Sequence, residues 1–174
     1  MAILKHEFGA NSSTRILVNS RRNDLRLEAS GEVLKIYAGS STGLPGSTGN
    51  GGLASSALLF GPRGCFIVSS SNLYIAEFNN NMIRKIISST SIITTVAGTG
   101  VAGSTLGASA TSTSLNNPRN MILDSSGNNM YIADSGNGCI RRVLISNDTV
   151  LHLPERVVHL VLRQTVSQHS EQMD

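Results

Sequence analysis

The stretch Leu73–Ile86, LYIAEFNNNMIRKI, recurs as MYIADSGNGCIRRV at Met130–Val143, and this repetition decides the fold class. Equivalent residues lie 57 positions apart, as Tyr74 and Tyr131 do. Each copy predicts two strands joined by a turn, because β-branched and aromatic residues flank a cluster of Asn, Gly and Ser. Self-similarity at a fixed period is typical of repeat architectures, so the chain is predicted to be one.

The repeat extends to both sides of this stretch. Upstream, Leu59–Arg63 (LFGPR) corresponds to Leu115–Arg119 (LNNPR). Still further upstream, Tyr37–Ser40 (YAGS) corresponds to Val96–Thr99 (VAGT). A third, worn copy lies near the N-terminus at residues 16–27, so the sequence contains two full units and one partial unit.

Each unit predicts four antiparallel strands separated by turns rich in Asn, Gly and Asp. In the last unit the predicted strands are residues 120–124, 130–134, 139–145 and 149–153. Their apolar residues are consecutive, which suits sheets that are buried on both faces. Four antiparallel strands per repeat describe a propeller blade. The sequence therefore predicts an all-β fold, a partial β-propeller with about 57 residues per repeat.

The repeats divide the chain into four segments. The predicted segments are a degenerate partial blade (1–32), a first full unit (33–98), a second full unit (99–153) and a tail without repeat character (154–174).

Composition excludes several classes of protein. The chain of 174 residues has 14 Lys and Arg against 11 Asp and Glu, a formal net charge of +3. Two cysteines are too few for a disulfide scaffold. No apolar run approaches the roughly 18 residues of a membrane span, and the first residues lack the apolar segment of a secretory signal peptide. A charge of +3 is too small to indicate nucleic-acid binding by itself.

The repeated residues resemble those of NHL-repeat proteins. The resemblance rests on AGTG at 97–100, LNNP at 115–118, DSSGN at 124–128, YIAD at 131–134, Asn137 and IRRV at 140–143. The segment 49–57 also looks like the family's Gly-rich stretch, with departures at Asn50 and Leu53. The resemblance covers residues 33–150, extends weakly over residues 15–32, and implies the fold rather than a function.

Members of this family usually close a ring of about six blades. A ring of that size needs roughly twice the length of this chain, at 57 residues per blade. The resemblance therefore implies three alternatives: the chain is a fragment of a larger protein, it assembles with other copies, or it is an incomplete gene product. An open stack leaves strand edges and apolar faces unpaired, which favours association.

Basic residues recur at one position of each unit and predict a candidate binding face. These residues are Arg26, Arg84, Lys85, Arg141 and Arg142. Such a face could bind phosphate groups or an acidic peptide. The structural alternative is that the arginines bind turn carbonyls or pair with Glu77 and Asp134 on the neighbouring strand.

No catalytic, cofactor or metal site is predicted. Glu77 and Asp134 lie on separate blades, and a role in the hairpin turns explains both better than a glycosidase-like pair. The Gly-rich segments 39–52 and 98–107 lack the Gly-Lys-Ser/Thr of a phosphate loop and are predicted to connect blades. Cys65 and Cys139 are predicted to be buried small apolar residues rather than a disulfide.

The histidines do not indicate a metal site, and the glycosylation motifs do not indicate a compartment. The four histidines (His6, His152, His159 and His169) lie outside the clear repeats and have no metal-ligand spacing. Some relatives in the resembled family are metal-dependent lyases that need histidines from several blades, so that activity is not expected here. Two glycosylation sequons, at Asn11 and Asn147, apply only to a secreted chain.

Three functions follow, in order of preference. The first is a non-catalytic scaffold that binds a protein or peptide partner through loop-rich faces, because turns and packing explain every repeated residue. The second is RNA binding through the repeated basic residues, although few aromatic side chains are available for stacking. The third is a piece of an NHL-type enzyme whose active site lies on other blades.

Overall fold

The computed structural model of the chain describes residues 2–4, 15–28, 35–68 and 72–153. Twelve strands run through this part of the chain and form three four-stranded antiparallel sheets. Sheet I contains β1 (Ala2–Leu4), β2 (Arg15–Asn19), β3 (Asp24–Glu28) and β4 (Lys35–Ala38). Sheet II contains β5 (Pro62–Ile67), β6 (Leu73–Glu77), β7 (Met82–Ile87) and β8 (Ile92–Ala97). Sheet III contains β9 (Pro118–Leu123), β10 (Asn129–Asp134), β11 (Cys139–Leu144) and β12 (Thr149–Leu153).

The strands of each sheet pair in the order in which they occur in the chain, as in a propeller blade. Sheets II and III share one register, since Tyr74 pairs with Lys85 and Tyr131 with Arg142. The predicted all-β fold with four-stranded antiparallel blades is confirmed. In the described part of the chain the three sheets do not close into a ring.

Sheet I is more complete than the worn repeat suggests. Lys35–Ala38 pairs with β3 as its fourth strand, and Ala2–Leu4 pairs with β2 as its first. Pairing of strands requires the backbone and an apolar face rather than particular side chains. A blade can therefore form where the repeat is hard to recognise in the sequence.

The core consists of two layers of apolar side chains between successive sheets. One layer joins sheets I and II and contains Ile16, Leu25 and Ile75, all fully buried. The other joins sheets II and III and contains Tyr74, Ile83 and Met130. Because sheet II is covered on both sides, every residue of β6 is buried.

Sheet III is covered on one side only. Along β10, buried residues alternate with half-buried ones, although its sequence closely matches that of β6. The half-buried and exposed residues share the face that points away from sheet II, here called the outer face of sheet III. It contains Ile122, Tyr131, Ala133, Ile140, Arg142, Leu144 and Leu151.

Two long segments connect the sheets, as the Gly-rich sequence predicts. Residues 39–61 lead from β4 to β5, and residues 98–117 lead from β8 to β9. Each begins with a glycine at positive φ, Gly39 at 93° and Gly98 at 94°. A Cβ at Gly98 would collide with the carbonyl oxygen of Asn81, so this close passage requires glycine.

A hairpin asparagine ties each of the first two sheets to the next. Asn23 Oδ1 accepts the N–H of Gly61 at 2.9 Å, and Asn81 Oδ1 accepts that of Asn117 at 2.9 Å. Both asparagines have positive φ. The equivalent position in sheet III is Gly138, which has the same backbone conformation but no side chain to make such a bond.

Several sequence predictions lie outside the described residues. They are the tail 154–174, the sequon at Asn11, and His6, His159 and His169. Cys65 and Cys139 are both free thiols; Cys65 is buried as predicted, whereas Cys139 is half-buried. None of the helices in the described ranges is long and apolar enough to cross a membrane.

Candidate functional site

A buried polar cluster ties the first connector to sheet II. Glu77, at the end of β6, accepts the backbone N–H of Phe60 at 3.0 Å. Arg84 Nη1 lies 3.5 Å from Glu77 Oε1 and donates to the carbonyl of Leu58 at 3.2 Å. Asn80 donates to Glu77 and to the carbonyl of Gly46, the latter at 2.7 Å. These three side chains together hold the connector against the sheet.

The same cluster recurs in sheet III with a closer ion pair. Asp134 accepts the N–H of Asn116 at 2.7 Å and Arg141 Nε at 3.1 Å. Asn137 Nδ2 donates to Asp134 and to the carbonyl of Gly103, both at 2.7 Å. Arg84 and Arg141 therefore make the contacts of the structural alternative, in which arginines bind turn carbonyls and the neighbouring carboxylate.

Sheet I contains a rearranged version of the ion pair. Asn19 takes the place of Glu77 and Asp134, and the carboxylate is supplied by Asp24 at the start of β3. Arg26 binds Asp24 Oδ2 through Nε at 3.0 Å and Nη2 at 2.9 Å. The Arg26 side chain is 25% exposed, whereas Arg84 is fully buried, because no sheet in the described part of the chain covers this face of sheet I.

Burial dominates the electrostatics of Glu77 and Arg84. It raises the pKa of the Glu77 carboxyl, and the charge of Arg84 with the donors from Phe60 and Asn80 opposes this rise. Burial also lowers the pKa of Arg84, whose Nε and Nη2 have no hydrogen-bond partner among the described residues. Glu77 and Asp134 have no exposed surface and belong to separate clusters on different sheets. The contacts of both carboxylates fit the predicted role in the hairpin turns.

The five basic residues predicted from the sequence do not share one face. Arg84 and Arg141 are buried between sheets, at 0% and 3% exposure. Lys85 and Arg142 lie on the opposite side of the same strands, where Lys85 Nζ is 5.6 Å from the centre of the Tyr74 ring. A binding face built from these residues stays a prediction, and the residues with solvent access are Arg26, Lys85 and Arg142.

One end of the stack gathers most of the loops, and we call it the connector face. It is formed by the hairpin turns 20–23, 78–81 and 135–138 and by both ends of each connector, residues 39–46 with 58–61 and 98–103 with 114–117. The middle of each connector runs to the opposite end of its sheet, where Ala54 N–H donates to Ser91 and Ala110 N–H donates to Asp148. Hydrogen bonds tie these loops together, for example from the N–H of Phe78 to Gly61 and from the N–H of Gly136 to Asn116.

The connector face exposes cations but hides its carboxylates. Its exposed charged residues in the described ranges are Arg21, Arg22, Arg63 and Arg119. The carboxylates at this end (Asp24, Glu77 and Asp134) are at most 2% exposed. Asp124 and Asp148 lie in turns at the opposite end. The connector face therefore attracts anions.

Arg63 and Arg119 were not recognised from the sequence as site residues. Each is the extra residue of a β-bulge in the first strand of its sheet. Pro62 pairs with Glu77 and Gly64 with Ala76, so Arg63 has no partner across the strand. Arg119 lies in the same way between the paired residues Pro118 and Asn120. The available signal was the Pro-Arg pair at the same place in both repeats.

Large apolar side chains are also exposed on the connector face. Leu44 is 60% exposed, Val101 is 69% exposed and Phe60 is 38% exposed. Leu44 and Val101 occupy equivalent places, each two residues before the glycine whose carbonyl binds Asn80 or Asn137. Exposed apolar residues beside a charged surface are typical of sites that bind other proteins.

No metal site is evident in the described residues, since nowhere do three His, Cys, Asp or Glu side chains lie close enough to share an ion. His152, the histidine within the described ranges, lies with Nδ1 3.4 Å from Arg141 Nη1.

Comparison with known sequences finds a similar protein in cattle. Over 82 residues, 47% of this chain, the sequence is 33% identical to NHL repeat-containing protein 2 of Bos taurus. The match spans 11% of that protein. No protein-family profile matches the chain.

Comparison with solved structures finds similar folds at low sequence identity. A protein of unknown function from Bacteroides thetaiotaomicron matches 75% of this chain and 32% of its own, with a TM-score of 0.64 and 23% identity. An auxiliary nutrient binding protein from Bacteroides ovatus matches 81% of this chain and 35% of its own, with a TM-score of 0.61 and 17% identity. A putative phosphatase from Bacteroides thetaiotaomicron matches 83% of this chain and 35% of its own, with a TM-score of 0.55 and 13% identity. The chain thus spans about a third of these structures.

Proposed function

We propose that this chain, a partial NHL-type propeller, is a non-catalytic scaffold that binds a protein or peptide partner on its connector face. The observation that supports the proposal is that some repeated residues are buried in ion pairs, whereas others are exposed. Arg84 and Arg141 form buried ion pairs with the repeated carboxylates, Glu77 and Asp134 respectively. Leu44 and Val101, by contrast, recur in exposed positions that packing among the described residues does not explain.

The comparisons support this proposal at the level of the scaffold. The name of the bovine relative refers to its NHL repeats and to no activity. One protein of similar fold is described as an auxiliary nutrient binding protein. Another is described as a putative phosphatase, so the fold is compatible with different functions. We therefore expect no hydrolysis of p-nitrophenyl phosphate above that of a buffer control. Turnover that follows the purified chain through successive columns would contradict the non-catalytic proposal.

A peptide-library experiment tests the binding proposal. The purified chain is applied to an array of short synthetic peptides, beside a variant with Leu44→Ser and Val101→Ser. Ile145→Ser is the matched control, because Ile145 is 39% exposed and lies at the opposite end. We expect the double variant to lose the selected peptides and the control to retain them. Equal binding by all three proteins, or no selection of peptides, would refute the proposal.

RNA binding is the second candidate, favoured by the cationic connector face. It requires base stacking as well as charge. On this face Phe60 is exposed and Phe78 is half-buried, which is little surface for stacking. Binding of single-stranded RNA that weakens steeply with added salt would support this candidate over the first.

The outer face of sheet III is proposed to pack against a further sheet, which a second copy or another blade could supply. The equivalent residues of sheet II already pack in this way: Tyr74, Ala76 and Ile83 are buried against sheet III. Light scattering after size-exclusion chromatography tests self-association. Ile140→Glu places a charge on this face and should dissociate an oligomer. An oligomer that the substitution leaves intact would use some other surface.

A further inference from the structure

We propose that Arg63 and Arg119 form a two-armed carboxylate-binding site, and that the partner of the connector face is therefore an acidic peptide. This inference rests on the proposed function and names the chemistry of its partner. We call these two residues the bulge arginines.

The two bulges direct both side chains away from the sheets. In a regular strand, alternate residues face the two neighbouring sheets. A bulge inserts one residue that has no partner, bends the strand and turns that side chain in a new direction. Both bulge arginines are exposed: Arg63 lies between the buried residues Pro62 and Gly64, and Arg119 follows the buried Pro118. The repetition of the bulge in two sheets places an arginine at the same position of each.

The bulge arginines lie on strands that approach each other closely. A Cβ at Gly64 would collide with Asn120 and with the backbone oxygen of Arg119. The absence of a side chain at Gly64 therefore allows β5 and β9 to come together beside the two arginines. Two guanidinium groups on adjacent strands can bind two carboxylates of one extended segment, or share one.

Neither bulge arginine is neutralised within the described part of the chain. The ion pairs found there use Arg26, Arg84 and Arg141. The Arg63 guanidinium lies 4.1 Å from the centre of the Phe78 ring. This stacking limits the rotamers of Arg63 and leaves the edge of its guanidinium group available for donation to a carboxylate.

The surroundings favour an acidic peptide over a nucleic acid. Leu44, Phe60 and Val101 offer exposed apolar surface on the same face, which matches apolar side chains between acidic ones. Charge-assisted hydrogen bonds from arginine to carboxylate would supply the specificity.

Fluorescence anisotropy with a defined probe tests the site. The probe is a labelled peptide of alternating Glu and Leu, and the reference is the same peptide with Gln in place of Glu. We expect the chain to prefer the Glu peptide, and Arg63→Gln and Arg119→Gln each to weaken its binding about tenfold. The matched control is Arg21→Gln with Arg22→Gln, which removes two exposed charges from the same face. This control should change the affinity less than threefold. Far-UV circular dichroism confirms that each variant is folded.

The other outcomes of these binding experiments would contradict either the carboxylate site or the scaffold function. Equal weakening by the Arg21/Arg22 control, or equal binding of the Gln peptide, overturns the carboxylate site. If only neutral peptides from the array bind and they depend on Leu44 and Val101, the scaffold function stands and this inference fails. If no peptide of either kind binds, the scaffold function itself fails. Tight binding of labelled oligouridine without binding of the Glu peptide assigns the bulge arginines to RNA and overturns the inference.

Discussion

Tyr74 and Tyr131 occupy the same position of successive sheets, yet only Tyr74 is buried, at 4% exposure. Each pairs with a basic residue of the next strand, Lys85 or Arg142, in the same register. The difference arises from what lies beyond the sheet. Sheet III covers Tyr74, and no sheet in the described ranges covers Tyr131.

This difference predicts unequal effects of the same substitution. Tyr74→Ala should lower the free energy of unfolding by about 3 kcal/mol or more, because it leaves a cavity between two sheets. Tyr131→Ala should lower it by about 1 kcal/mol, since the ring is half-exposed. Urea unfolding of the monomeric chain followed by circular dichroism measures both. Equal losses would mean that Tyr131 is covered in solution.

The buried ion pair of sheet III predicts a large effect at Arg141 and a small one beside it. Arg141→Met leaves the Asp134 carboxylate buried without its cation and should destabilise the fold by about 3–5 kcal/mol. Arg142→Met removes a half-buried cation from the next position and should change stability by less than about 1 kcal/mol. Urea midpoints of the two variants test the contrast, and similar midpoints would show that the pair contributes little.

The close approach at Gly64 predicts intolerance of any side chain there. Gly64→Ala should destabilise the fold by about 2 kcal/mol or more, because its Cβ collides with the β9 backbone. Gly52→Ala is the matched control, since the nearest atom to its Cβ would be 3.4 Å away. Thermal unfolding curves compare the two variants. A mild effect at Gly64 would mean that β5 and β9 separate easily.

The different burial of Cys65 and Cys139 predicts that the two thiols differ in reactivity. Burial raises the pKa of the Cys65 thiol to about 12. Burial also raises the pKa of the half-buried Cys139, with Asp134 adding to the rise and Arg141 opposing it. Since the thiolate is the nucleophile, Ellman's reagent at pH 8 should modify Cys139 first and Cys65 only when the chain opens.

The same shift at Cys65 has a consequence for stability. A folded-state pKa above that of the unfolded chain means that the unfolded state releases the proton more easily. Stability linked to Cys65 is therefore present below about pH 9 and lost as the pH rises toward 12. Cys65→Ala should show a weaker decline over this interval than the wild-type chain in urea unfolding. Parallel declines would show that other groups control alkaline unfolding.

The repeat in the sequence was sufficient to predict the sheets, because hydrophobic pattern and turn residues both recur with it. Spacing alone also placed Glu77 and Asp134 next to their arginines. The bulge arginines could not be found in this way. A bulge is a property of two paired strands, and the exposure of Arg63 and Arg119 depends on a register shift against β6 and β10. The completeness of sheet I was hidden for a related reason, since pairing leaves little trace in side-chain identity.

At Gly138, the outer face of sheet III differs from the two interfaces that join sheet I to sheet II and sheet II to sheet III. Between sheets I and II, and between II and III, a buried asparagine must release a backbone N–H before the sheets can separate. At Gly138 there is no such bond to break. A sheet that docks there lacks this one hydrogen bond to a hairpin asparagine. Its release from the outer face of sheet III is therefore expected to cost less free energy than separation of either pair of described sheets.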